Sequence, residues 1–166
     1  MTEKVNKKPL NSDRIFSIAI VLIIIFLIGY NAINFFGPTI MLNGKEVLTI
    51  SGKEPSTGIE RVIQINKEKS ILIFWATWCS TCIDEIEMLK KIKTDVQITG
   101  ILKMPVKVEQ LSKIAPSFYS IIGTDPLHDD FMISAVPTII LLKNNKIEKV
   151  KVGMISEQEF KNWLEQ

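Results

Sequence analysis

Both cysteines of this chain fall two residues apart, in Trp78-Cys79-Ser80-Thr81-Cys82, where an apolar run of strand length gives way to one of helical period. Upstream, Ile71-Leu72-Ile73-Phe74-Trp75-Ala76 is β-rich and free of charge. Downstream, Ile83, Ile86, Leu89 and Ile92 recur at helical spacing. The pair therefore sits on a strand-to-helix turn. The first cysteine stands at a helix N-terminus, where unpaired backbone N–H groups and the macrodipole favour a thiolate. Two thiols so spaced can close a small disulfide ring and open it again.

Three chemistries use such a pair. A zinc site needs about four ligands, and with no third cysteine and only His128 as a histidine the chain cannot complete one without carboxylates or a partner. A static bridge closes too short a loop to stabilise much. Thiol–disulfide exchange is the reading taken forward, with zinc and a static bridge as its alternatives: Cys79 attacks a substrate disulfide as a thiolate, and Cys82 resolves the mixed disulfide. No metal and no cofactor is expected.

A second anchor is Val136-Pro137-Thr138, which opens the apolar run Ile139-Ile140-Leu141-Leu142. By itself, a proline at the first residue of a strand is unremarkable, since no ladder bond is needed there. Together with Phe74-Trp75-Ala76-Thr77-Trp78-Cys79, the arrangement resembles the thioredoxin fold, in its TlpA-like, membrane-anchored thiol-disulfide oxidoreductases. That group includes cytochrome c maturation and copper-tolerance accessory proteins. The resemblance spans roughly residues 45–166 and implies an α/β fold, a central mixed β-sheet flanked by helices. It implies a cis bond at Pro137 beside the dithiol, and a Val136 backbone facing the substrate cysteine. Trp75, Trp78 and Pro137 are then expected to shape the docking groove. Glu85, three residues after Cys82, falls where many of these proteins carry a glutamate near the active site, and a solvated helix-start carboxylate is its plainer alternative. Two positions depart from the wider fold family: Ile73 stands where thioredoxins bury an aspartate, and Glu87 replaces a helix-kinking proline.

No charge interrupts the chain from Ile15 to Gly44. A helix of about 20 such residues spans a bilayer, and no small-x-small cleavage site follows, so a retained single-pass anchor over 15–36 is expected. Lys4, Lys7, Lys8 and Arg14 outweigh Glu3 and Asp13 ahead of it, which keeps the tail at 1–14 in the cytoplasm. The domain at 37–166 would then face the periplasm from the bacterial inner membrane. Beyond the anchor 16 basic and 16 acidic residues balance, and nothing points to nucleic acid. Lys90, Lys91 and Lys93 suit a solvated helix end.

Strands are expected at 47–50, 61–65, 71–76, 96–102 and 118–122, with a hairpin after Pro137 that turns at Asn144-Asn145. Residues 51–58 are expected as loop. Helices are expected at 80–93, 106–115 and near 126–132, with a last one capped by Ser156 and Glu159 as a capping box. The stretch 103–123 resembles the helical insertion of the membrane-anchored group. His128, in a polar helix start, is expected on the surface. Thr81, where strongly oxidising relatives carry a histidine, argues for a reductase of client disulfides that takes electrons from a membrane-embedded donor. The alternative class is a tethered copper metallochaperone or thiol-binding module without turnover.

Overall fold

The computed structural model describes residues 12–166 and, within the first helix, the side chains of residues 16–32, 37 and 40–42. Of the expected tail at 1–14, all but the last three residues lie outside the described residues. The chain divides into two units at Gly37/Pro38. The described residues of the first unit are helical: α1 runs Ser12–Leu42, its last turn belonging to the second unit. Among the described residues no helix is long and apolar enough to cross a membrane. The unbroken run of described side chains in α1, residues 16–32, is 17 residues, about 25 Å at 1.5 Å per residue. The anchor expected over 15–36 runs past that stretch at both ends.

The second unit contains β1 (Thr49–Lys53), β2 (Glu60–Gln64), β3 (Lys69–Trp75), α2 (Ser80–Leu89), β4 (Gln97–Leu102), α3 (Val108–Ile114), β5 (Tyr119–Ile122), α4 (Asp125–Asp130), β6 (Thr138–Lys143), β7 (Lys146–Val152) and α5 (Glu157–Glu165). The strands form one sheet in the order β2-β1-β5-β4-β3-β6-β7. Strands β3, β4 and β5 are parallel, and β6 runs antiparallel to β3. This is the expected mixed sheet flanked by helices.

The central strand explains its own composition. From Ile71 to Trp75 β3 is buried on both faces, so this part of it reads as an unbroken apolar run. Ile71, Ile73 and Trp75 enter one core cluster, with Cys82, Ile86 and Leu89 of α2 and Phe160 and Trp163 of α5. Leu72 and Phe74 enter the other, with Leu42, Ile50, Phe131 and Ile140. Removing side chains of this size from water contributes roughly 1.5–3 kcal/mol each.

Local departures from the sequence expectations have local causes. The first strand continues to Lys53 through residues expected as loop, because Ile50 and Gly52 are buried as it pairs with β2. The second helix ends at Leu89, short of Lys93. The chain turns there instead of continuing the helix, with the N–H groups of Lys91 and Ile92 donating to Met88 O at 3.1 Å and Leu89 O at 3.0 Å, three residues back. Asn144 and Asn145 both take positive φ, 53° and 61°, the backbone of a two-residue hairpin turn. Half of the capping box forms: Ser156 Oγ accepts the N–H of Glu159 at 3.2 Å, while the Glu159 carboxylate goes to Lys151 at 3.0 Å.

Candidate active site: a dithiol at a helix N-terminus

Three sheet elements end on one side of the unit. Trp75 pairs with Leu102 at the ends of β3 and β4, and Thr138 at the start of β6 pairs with Phe74. The segments 76–79, 103–107 and 132–137 therefore share the carboxyl end of the parallel strands, where open α/β sheets hold their ligands.

Cys79 and Cys82 are joined in a disulfide. Cys79 is the N-cap residue of α2, with extended backbone (φ −96°, ψ 109°), and its sulfur accepts the N–H of Cys82 at 3.2 Å. Thr81 Oγ1 lies 3.2 Å from the same sulfur and donates to it. Val136 O stands 3.7 Å away, in the cis Val136–Pro137 segment that the resemblance implied. Cys79 keeps 8% of its surface exposed, whereas Cys82 has none. Attack from outside therefore falls on Cys79 with Cys82 as the leaving thiolate, and once both cysteines are reduced a Cys79 thiolate finds two donors already aimed at it.

Glu85 is wholly buried, one helical turn after Cys82 on the core face of α2. Its plainer alternative, a solvated helix-start carboxylate, is excluded by that burial. Oε1 accepts the N–H of Ile155 at 2.9 Å, and Oε2 is buried without a partner among the described residues. Removal from water pushes the carboxyl up from its ordinary 4.5 to about 7, against the opposing pull of the Ile155 N–H. A carboxyl that titrates near neutrality can exchange a proton with a neighbouring thiol.

Two expected placements change. Trp75 is fully buried and walls no groove; its indole packs edge-on to Phe118 and lies over Gly100, where a Cβ would stand 2.8 Å from Trp75 Nε1. Trp78, by contrast, is half exposed. His128 is 5% exposed, not on the surface: Nδ1 donates to Thr124 O at 2.8 Å, and the ring meets Phe74 edge-on in the second core cluster. It fills space left by Gly123, where a Cβ would stand 2.6 Å from His128 Cε1. Among residues not expected near the site, Thr77 is buried and its hydroxyl accepts the N–H of Lys107 at 3.2 Å. Met104–Pro105 is a second cis peptide bond. Gly100 and Gly123 were the available signals for the two buried rings, because an isolated strand or strand-end glycine marks a close approach.

Comparison with known proteins decides the family. The profile described as Thioredoxin matches residues 46–166, which is 121 of the chain's 166 residues. This chain belongs to the thioredoxin family. A thioredoxin-family relative, the "Sporulation thiol-disulfide oxidoreductase A" of Bacillus subtilis (strain 168), is 26% identical over 113 residues, 60% of this chain and 68% of its own length. The "Thioredoxin-like protein YneN" of the same organism is 23% identical over 163 residues, 87% of this chain and 94% of its own. The crystal structure of StoA from Bacillus subtilis shares the fold, with a TM-score of 0.57 at 22% identity, over 71% of this chain and 98% of that one. As a thioredoxin-family member whose two cysteines close one disulfide at a helix N-terminus, this chain is a protein thiol-disulfide oxidoreductase, and thiols or disulfides of client proteins are its partners.

Two outcomes follow from this geometry. On non-reducing gels Cys82→Ser traps mixed disulfides with clients and Cys79→Ser traps few, because only the first sulfur is reachable; equal trapping contradicts the assignment. The second concerns Glu85. Its folded-state pKa is raised, so its stability contribution is full below pH 4.5 and is lost as pH rises through about 7. Glu85→Gln does not titrate. Between pH 4 and pH 8 the oxidised variant should gain about 3 kcal/mol on the oxidised wild type, read from urea midpoints at the two pH values. A constant difference would place Glu85 in solvent.

Proposed function

We propose that this protein is an extracytoplasmic, membrane-anchored reductase of client disulfides, of the TlpA-like kind. The observation that carries the direction is the set of groups around Cys79. Its sulfur meets a backbone N–H and the neutral Thr81 hydroxyl, with no imidazolium between the cysteines, and the buried Glu85 carboxyl lies one turn beyond Cys82. An uncharged donor stabilises the thiolate less than a cation does, and a buried carboxylate opposes a second negative charge nearby. Both effects favour the disulfide form relative to the dithiolate, which makes the dithiol a reductant.

The catalytic roles follow. Cys79 is the nucleophile, Cys82 the resolving thiol and Glu85 the acceptor of the Cys82 proton. Trp78 and the backbone of Val136, next to Pro137, receive the client. A reductase outside the cytoplasm needs electrons carried across the membrane, so a membrane-embedded donor is its second partner. The anchor is supported by α1: Phe16, Leu22, Ile25, Phe26 and Ile28 are each at least 60% exposed. These positions lie around the helix, and one that is apolar all round belongs in a core or a bilayer.

The direction is tested by equilibrating the protein with glutathione buffers. A reduction potential between roughly −200 and −270 mV is expected, with a dithiol reduced in cells that have the donor and oxidised in cells that lack it. A potential near −120 mV, indifferent to the donor, would make this protein a disulfide former. For the anchor, the full chain should stay with membranes through a carbonate wash; release as a soluble, shortened chain would show cleavage.

A further inference from the structure

We propose that the loop 103–107 is a client-recognition wall, selecting disulfide-bearing segments that place an apolar residue and a carboxylate beside the cysteine. The proposal rests on the exchange activity and not on its direction. Sheet order sets the geometry. β3 carries the dithiol at its end and lies between β4 and β6, so the loop leaving β4 and the segment entering β6 flank the dithiol on its two sides. On the β6 side, Val136 O beside Cys79 Sγ offers a client backbone, which recognises any extended chain. Side-chain selectivity falls to the β4 side.

That loop is held at both ends. The Lys103 N–H donates to Trp75 O at 2.8 Å and the Lys107 N–H to Thr77 Oγ1 at 3.2 Å. Thr77 precedes Cys79 by two residues, about 7.6 Å of chain. Between the two ties Met104 is 58% exposed, and beside them Trp78 and Val108 are half exposed. A methionine thioether on a flexible stem adapts to apolar partners of different shape. The ammonium groups of Lys103 and Lys107 make no ion pair among the described residues, and the nearby Glu109 is engaged by Lys113. The wall is thus apolar with two unpaired positive charges, and its complement is an apolar side chain flanked by a carboxylate.

The test uses the reduced full-length chain and three synthetic peptides of one length, each with a single cysteine joined to 4-thiopyridine and preceded by leucine. The peptides differ only at two flanking positions, which hold Glu, Gln or Lys. As each mixed disulfide is reduced to two thiols, the dithiol is oxidised to the Cys79–Cys82 disulfide, and the released thiopyridine is followed by absorbance. At low ionic strength the second-order rate should fall about tenfold from the Glu to the Lys peptide, and high salt should compress the spread. Lys103→Glu with Lys107→Glu should reverse the order, while the rate with uncharged 4,4′-dithiodipyridine stays unchanged. Lys103→Gln with Lys107→Gln, which is gentler on folding, should level the three peptides. Met104→Ser should slow all three about threefold against dithiodipyridine. Equal rates for the three peptides in the wild type would overturn the proposal, as would an order that survives charge reversal. A charge reversal that changes the dithiodipyridine rate as much as the peptide rates would show the lysines acting on Cys79 itself, and would overturn it too. The ranking is independent of reduction potential, so it can fail while the reductase reading stands, or the reverse.

Discussion

One sulfur holds two jobs in this fold. The Cys79 sulfur accepts the N–H of Cys82 and so starts α2, and the same hydrogen bond is available to a thiolate once the disulfide opens. An ordinary helix takes an oxygen for this purpose. Here the capping atom is also the reacting atom, so the chain's local structure and its chemistry cannot be separated at this position. The rest of the unit serves to place that cap. The apolar β3 ends at Trp75, the turn at 76–79 rises from the sheet, and the flanking segments bring Lys107, tied to Thr77 of the turn, and Val136 around it.

The burial of Glu85 runs against the usual logic of a core. A carboxylate removed from water is costly unless fully paired, and only one of its oxygens has a partner among the described residues. The cost falls one helical turn from the dithiol, on the face of α2 that also carries Cys82. Departures from good packing concentrate at sites of chemistry. The Ile155 N–H that satisfies Oε1 comes from the segment following Gly153, whose own N–H donates to Pro137 O at 2.8 Å. The carboxyl is therefore tied, through two hydrogen bonds and three residues, to the segment that faces a client.

Much of this was legible in the sequence because it depended on local pattern. The doubly buried β3 is a continuous apolar run, the hairpin turn is two asparagines that tolerate positive φ, and the dithiol lies where strand period yields to helix period. Pro137 opening an apolar strand behaved as the resemblance implied. What failed had a shared cause. Trp75, expected in a docking groove from the resemblance, and His128, expected on the surface from its polar neighbours in sequence, each lie over a glycine on a neighbouring strand or its end, Gly100 or Gly123. Such a slot depends on which strands become neighbours, information that no window of sequence contains. The burial of Glu85 was illegible for a similar reason, since the N–H it meets is 70 residues away. The end of β1 was misplaced because Ser, Gly and Lys carry loop statistics, while the pairing with β2 decides the matter.

The β1–β2 hairpin meets the remainder of the sheet through one residue pair, Lys53 with Ile122, while its own two strands pair at five positions. What holds the hairpin to the domain is side-chain burial more than the ladder: Ile50 of β1 is buried in the core cluster with Leu72 and Phe74, and Gly52 lies against Ile121 and Ile122. The redox centre follows β3, which stands three places from β1 in the sheet order. The outer strand β2, exposed at every residue except the half-buried Ile63, is accordingly the edge where insertions or substitutions can accumulate while the dithiol keeps its geometry.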